Sequence, residues 1–235
     1  MHFDQPLQPG ILLRRYKRFL ADVQLPDGST LTAHTPNTGS MLGCAEPGSR
    51  VWLRDSGNPE RKYRYSWELV ENSAGTLIGI NTGIVNRLVT EAIAQGVATT
   101  LQGYRSIRQE VRYGSENSRI DLLLEGDDVP CYVEIKNVTA LDDSGCAIFP
   151  DAVSSRGSKH LRELMQVVAQ GQRGVICFCV QRGDARAVRP ADEIDAVYGR
   201  TLREAVAAGV EALALVAEVT PQGIALQRAL PVILP

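Results

Sequence analysis

Apolar and polar positions change rhythm once along the chain, close to residue 75. From residue 10 to residue 70 they alternate with a period near two, the mark of half-buried strands, and the alternation is broken by polar turns. Residues 11–25 read as one extended segment ended by the strong turn signal Pro26-Asp27-Gly28. Further strands are expected at residues 29–34, 49–55 and 62–71, with loops at Thr35-Pro36-Asn37-Thr38-Gly39 and Asp55-Ser56-Gly57-Asn58-Pro59. Four or five short strands in some seventy residues predict a small all-β barrel, with the oligonucleotide-binding (OB) barrel the leading candidate.

After the junction Asn72-Ser73-Ala74-Gly75 the period lengthens. Residues 84–101 have helical spacing, and strands are expected at residues 106–113, 118–124 and 130–138. A loop over residues 141–157 leads to a helix over residues 158–172. The run Gly174-Val175-Ile176-Cys177-Phe178-Cys179-Val180 then has the continuous apolar character of a strand covered on both faces. A helix over residues 199–208, a strand over 212–219 and a hairpin near Pro221-Gln222-Gly223 finish the chain. This order predicts an α/β domain with a mixed sheet, so the chain divides into residues 1–75 and 76–235.

Composition narrows the function classes. At 235 residues, 44% hydrophobic and 22% charged, the chain has the make-up of an ordinary globular protein, with no apolar stretch long enough to span a bilayer. The start, Met1-His2-Phe3-Asp4, lacks the basic head and apolar core of a secretory signal. Five cysteines, an odd number without a C-x-x-C pair, suggest reduced thiols in the cytoplasm and argue against a zinc site. A net charge of −2 means that binding to a phosphate backbone requires a local basic patch rather than a global excess.

The chemistry concentrates in Arg119-Ile120-Asp121 and Glu134-Ile135-Lys136. In an extended strand, residues i and i+2 share a face, so Glu134 and Lys136 project together. The polar link Glu125-Gly126-Asp127-Asp128 suits a hairpin that brings Asp121 beside them. Two carboxylates with water suit a hard divalent cation, Mg²⁺ or Mn²⁺. Asp121 and Glu134 would hold it, with the Ile135 carbonyl as a further ligand. Lys136 would orient or deprotonate a water, or offset transition-state charge. The plain alternative is a Glu134–Lys136 surface ion pair worth about 0–1 kcal/mol.

The chain resembles the sugar fermentation stimulation protein A family of bacteria and archaea over nearly its whole length. The resemblance rests on Thr35-Pro36-Asn37-Thr38-Gly39-Ser40-Met41, Asn81-Thr82, Asn86-Arg87-Leu88-Val89, Glu91-Ala92-Ile93, Ser118-Arg119-Ile120-Asp121 and Val133-Glu134-Ile135-Lys136-Asn137-Val138. It extends through Phe149-Pro150-Asp151-Ala152-Val153-Ser154-Ser155-Arg156-Gly157-Ser158-Lys159-His160-Leu161. It implies two domains, an N-terminal OB-like barrel and a C-terminal α/β domain like that of PD-(D/E)xK nucleases. It also implies DNA binding and a role in regulating sugar, notably maltose, metabolism. Ile120 stands where the nuclease pattern has proline, a position that shapes backbone rather than chemistry.

Related nuclease cores often place another acidic ligand on the preceding helix, which makes Glu91 a third candidate metal ligand; its alternative is an i,i+4 pair with Arg87. Glu110, on the first strand of the α/β domain, could belong to the same acidic rim but reads more simply as a solvated strand residue. Arg156, Lys159 and His160 enter a helix, where backbone N–H groups and cations favour phosphate, so they are candidate DNA contacts. His160 could instead carry a proton. In Arg61-Lys62-Tyr63-Arg64-Tyr65-Ser66-Trp67 the aromatics share one face, as stacking platforms or as barrel core. Arg14, Arg15, Lys17 and Arg18 are then the stronger phosphate candidates, against the alternative of a solvated edge.

The expected function is a cytoplasmic, sequence-nonspecific DNA-binding protein with a nuclease-like divalent-metal site and no membrane partner. The rivals are an active Mg²⁺-dependent DNA endonuclease, a regulator with a retired nuclease core, and an OB module for a small molecule or protein. Self-association into a homo-oligomer is left open by the sequence.

Overall fold

The computed structural model describes residues 1–114 and 118–234. The chain opens with β1 (Gln8–Tyr16) and β2 (Leu20–Gln24), paired antiparallel from Ile11↔Gln24 to Tyr16↔Leu20. The single segment expected over residues 11–25 is therefore two strands. Their turn contains neither Gly nor Pro; Lys17 and Arg18 take the left-handed conformation instead, with φ of 49° and 66°. Non-glycine residues seldom sit there, so the sequence carries no ordinary turn signal.

β3 (Thr30–His34), β4 (Arg50–Asp55) and β5 (Tyr65–Glu71) complete a closed barrel. β1 pairs with β2 and β4, β2 with β3, and β4 with β5. A parallel contact at His34↔Ser66 closes the ring between β3 and β5. The order β1-β2-β3-β5-β4 is that of an OB barrel. Trp67 fills its core among Leu12, Val23, Met41, Leu53 and Ile78, and its Nε1 donates to the Leu69 carbonyl at 2.8 Å. Trp67 is thus core rather than a stacking platform. A bulge opposite Trp52/Leu53 inserts Glu68 as an extra residue of β5, where it is buried.

β6 (Leu77–Gly79) pairs with β5, yet the Gly79 N–H donates to the Gln181 carbonyl at 2.8 Å, so this strand is shared between barrel and α/β domain. A Cβ on Gly79 would lie 2.4 Å from Gln181 Oε1 and 2.8 Å from Ile224 Cδ1, so the domains approach more closely than any other residue allows. Polar side chains fasten the seam. Arg54 Nε donates to Glu68 Oε1 at 2.9 Å and Asn81 Nδ2 to Glu68 Oε2 at 2.6 Å. Gln181 Nε2 reaches the Asn81 carbonyl at 3.0 Å and Asn137 Oδ1 at 2.6 Å.

The second domain is a six-stranded mixed sheet. Its strands are β7 (Ser106–Tyr113), β8 (Ser118–Glu125), β9 (Cys131–Val138), β11 (Arg173–Val180), β13 (Glu211–Thr220) and β14 (Gly223–Leu230), in the order β14-β13-β11-β9-β8-β7. β9, β11 and β13 run parallel and the outer strands antiparallel. One face packs on α1 (Val85–Ala94) through Leu88, Val89, Ala92 and Ile93. The other packs on α2 (Ser155–Ala169) and α3 (Asp192–Ala207) through Leu161, Leu164, Tyr198 and Leu202. β11 is covered on both sides, as its unbroken apolar run requires.

Several boundaries differ from the sequence reading, among them that of α3, which begins at Asp192 rather than at residue 199. α1 is shorter than residues 84–101, because Gly96 turns the chain at φ 75° before a 3₁₀ turn at Thr99–Leu101. α2 begins at Ser155, capped by Ser154 Oγ accepting from the Gly157 N–H at 3.0 Å, so Arg156 lies within the helix. The expected loop at residues 141–157 contains β10 (Cys146–Phe149), which pairs in parallel with β12 (Ala187–Pro190); four-residue strands leave little periodicity to read.

Removing the Asn81 side chain strands a buried Glu68 oxygen at the domain seam. Asn81→Ala is expected to lower global stability by about 2–3 kcal/mol, measured by urea unfolding.

Candidate metal centre

β8 and β9 are paired only as far as Leu122↔Val133. Beyond that point they part. Ile120 faces α2 and α3 whereas Leu122 and Leu124 face α1, so the strand's alternation slips at Asp121. The Ile135 N–H, left without a β8 carbonyl, donates instead to Asp121 Oδ2 at 2.6 Å. At the same level of β7, Glu110 holds the left-handed conformation with φ 55°. Irregular pairing of this kind re-aims side chains beside functional sites.

Val133 and Ile135 go into the α1-side core, which turns Glu134 and Lys136 to the opposite face beneath α2. Lys136 Nζ donates to Glu134 Oε1 at 2.7 Å. His160, one turn into α2 and buried, presents Nδ1 to the same oxygen. Arg156 Nε donates to His160 Nε2 at 3.3 Å, which makes Nε2 the acceptor and assigns the ring proton to Nδ1. Lys136 Nζ and His160 Nδ1, 3.3 Å apart, are then two donors sharing one acceptor. Glu134 Oε2 is buried and has no hydrogen-bond partner.

The two carboxylates are driven apart electrostatically. Burial and the nearby Glu134 charge push the Asp121 carboxyl up to about 7. Burial acts on Glu134 in the same sense, but Lys136 and His160 outweigh it and hold that carboxyl below its ordinary range. An ionised oxygen in the interior without a donor is costly, and it shares its cleft with a second carboxylate that resists ionising. A hard cation satisfies both at once, so the residues present fit a divalent ion. Among the described residues no group of three or more His, Cys, Asp and Glu side chains is gathered as a ligand set. A two-carboxylate site suits a cation that keeps most of its water, as Mg²⁺ does.

Asp121, Glu134 and Lys136 line a cleft of about 490 Å³ between the domains. Its far wall is the barrel: Arg18 from the β1–β2 turn and Asn37, Thr38 and Gly39 from the following loop. Arg15 organises this wall, donating from Nη2 to the carbonyls of Arg18 (2.7 Å), Asn37 (3.1 Å) and Gly39 (2.8 Å). Asp151, after the cis Phe149-Pro150 bond, pins it: the Met41 N–H donates to Asp151 Oδ2 at 2.9 Å and Ser40 Oγ to the Asp151 carbonyl at 2.6 Å. A Cβ on Gly39 would meet Asp151 Oδ2 at 3.0 Å and Asn37 Oδ1 at 3.1 Å, which explains a glycine at this contact.

The structure thus brings Asp121, Glu134, Lys136, Arg156 and Arg18 to one cleft, and Lys159 to an adjoining groove with Arg119 and Ser118. Glu91 lies elsewhere. It pairs with the Met1 ammonium at 2.6 Å and with Arg87 at 2.9 Å, so its expected place among the metal ligands is corrected to a structural ion pair. Glu110 is a solvent-exposed residue of β7, as the sequence suggests, and it also lines the cleft with Asp121 and Glu134; Asn86 Nδ2 donates to it at 3.1 Å. His160, expected on DNA, is buried against Glu134 instead. Arg14 is paired with Asp22 at 2.7 Å, and Lys17 sits exposed in the turn. Asn37, Thr38 and Asp151 were missed as site residues. The only sequence signal for them was an unusual polar loop and an Asp after proline, neither of which says that the two segments meet.

Residues 83–223 match the family described as the sugar fermentation stimulation protein RE domain, and residues 13–80 match the SfsA N-terminal OB domain. A sugar fermentation stimulation protein homolog of Geobacter metallireducens is 62% identical over 234 residues, covering 100% of both chains. That of Thioalkalivibrio sulfidiphilus is 60% identical over 232 residues, covering 99% of this chain and 98% of its own. Among solved structures, Pyrococcus furiosus SfsA in complex with Ca²⁺ superimposes with a TM-score of 0.88 at 29% identity, covering 99% of this chain and 98% of its own. With the barrel, the mixed sheet and the full-length likeness all in agreement, the chain belongs to the sugar fermentation stimulation protein family.

Proposed function

We propose that the protein is a cytoplasmic, sequence-nonspecific DNA-binding protein whose interdomain cleft holds a divalent cation, and that it acts in regulating sugar, notably maltose, metabolism. The observation that carries the metal reading is the buried, unpartnered Glu134 Oε2 in the same cleft as Asp121. The Ca²⁺ complex of the Pyrococcus furiosus relative supports it. Asp121 and Glu134 would hold the ion, and when bound it would supply charge relief at a phosphoryl oxygen and a water of lowered pKa. His160, with its tautomer fixed by Arg156, keeps Glu134 Oε1 occupied so that Oε2 stays turned away from it. Lys136 brings a cationic donor to the cleft. Arg18, Lys17, Arg156 and Lys159 supply the local positive charge that a chain of net charge −2 needs for phosphate.

A second reading, active cleavage of DNA, is favoured by Lys136, because two carboxylates and a lysine make up the set that phosphodiester hydrolysis requires. With Mg²⁺, cutting of circular single-stranded DNA is expected from the protein and not from Lys136→Met. Equal cutting by both would point to a contaminant, whereas salt-sensitive binding without cutting under any metal would leave the regulatory reading alone.

Isothermal titration with Mn²⁺ tests the metal site: one binding event is expected, lost in Asp121→Ala, and equal heats from both proteins would remove the site. Because cation binding must displace the proton that Asp121 holds with a pKa of about 7, affinity is expected to weaken about tenfold between pH 8 and pH 6. The same shift sets a stability trend. A carboxyl raised in the folded state contributes stability below its unfolded pKa near 3.8 and loses it as pH rises through about 7. In chelator at pH 8, Asp121→Asn is therefore expected to raise the thermal midpoint by roughly 2–4 °C, and a lowered midpoint would contradict the repulsion.

A further inference from the structure

We infer that the cleft takes a single DNA strand, threaded between the barrel and the α/β domain, in preference to an intact duplex. The inference rests on the DNA-binding reading above and narrows its substrate.

Three observations carry it. The first is enclosure. The carboxylates and Lys136 do not lie on an open surface; Arg18 and Thr38 of the barrel form the opposite wall of the same cleft. That wall is fixed in place by the Arg15 hydrogen bonds and by the Asp151 contacts with Ser40 and Met41, so the cleft is bounded by two domains joined as one unit. The second is size. A cleft of about 490 Å³ falls in the range of about 300–1,000 Å³ that accommodates small-molecule ligands, the scale of one or two nucleotides. Duplex DNA, with a major groove alone about 12 Å wide, fills a cleft of this size less readily than a separated strand does.

The third observation is the division of the lining. One part is ionic, with Lys136 and Arg156 beside the two carboxylates. The other is apolar: Val153, 78% exposed, stands beside the half-buried Phe149, whose ring is held edge-on by Tyr198 at 5.1 Å between centroids. Phosphate suits the first part and an aromatic base face suits the second. In a duplex the base faces are covered by their neighbours, so an apolar wall beside a phosphate site is of use only to an unstacked base. Arg18, on the barrel wall with its Nε donating to the Thr38 carbonyl at 2.9 Å, then meets the backbone through its remaining N–H groups.

The test compares a fluorescein-labelled 20-nucleotide strand with the same sequence closed into a blunt hairpin duplex. Binding is followed by anisotropy at low salt with Ca²⁺ as the divalent cation. The single strand is expected to bind at least tenfold more tightly. Arg18→Gln should weaken strand binding at least fivefold and Val153→Ser about threefold, while Mn²⁺ titration and thermal midpoint stay as in the parent protein. Arg18→Lys should recover most of the loss. Equal or tighter duplex binding would overturn the single-strand inference and leave the DNA-binding reading standing. So would a strand affinity that neither Arg18→Gln nor Val153→Ser changes. If neither DNA form binds while Mn²⁺ still does, the DNA-binding reading itself fails, and the inference with it.

Discussion

The parting of β8 and β9 at Asp121 is the constraint on which the site depends. A regular ladder would have given the Ile135 N–H a backbone carbonyl and left Asp121 free to point to solvent. Because the strands diverge, the carboxylate takes over that hydrogen bond and is drawn into the gap between β8 and β9, near Glu134. Two acids are thereby held together in a partly buried place, against their mutual repulsion. The hydrophobic residues on either side leave no other arrangement: Leu122, Val133 and Ile135 are committed to the α1 face, and Ile120 to the face beneath α2.

That repulsion is managed unequally. Glu134 receives Lys136 and His160 on one oxygen, whereas Asp121 receives only a backbone N–H and carries the higher pKa. Pairs of acids driven apart in this way are common where one position must bind a cation or exchange a proton. His160 serves the arrangement indirectly. Its ring is clamped between Glu134 and Arg156, and the clamp fixes which nitrogen carries the proton.

The barrel contributes more than a neighbouring binding surface. Arg15 gathers the carbonyls of its own loop, and Asp151 ties that loop to the α/β domain. Glu68, Asn81 and Gln181 fasten the seam from beneath. Both basic residues of β1 are engaged in this construction: Arg15 on carbonyls and Arg14 on Asp22. The positive charge left at the cleft is therefore small and local, which accords with a chain whose charges nearly cancel overall.

Much of this was legible from the chain alone. The switch from period two to helical spacing separated a barrel from an α/β domain, and the spacing of Glu134 and Lys136 fixed their shared face because side chains alternate along any strand. Asp121 was identifiable as their partner through the short polar link between the strands. What lay beyond sequence were relations between distant segments. Glu91 has the residue type and helix position of a ligand, but the Met1 ammonium, which no local pattern brings near, claims it. Glu110 is the solvated strand residue it reads as, and only the fold shows that this position borders the cleft. His160 reads as an exposed phosphate contact until helix packing buries it on Glu134. Periodicity records only which face a residue occupies, so it determined the two folds and the acidic pair. Which faces met, and hence which charges were already neutralised, depended on domain docking, and only the tertiary structure decided that.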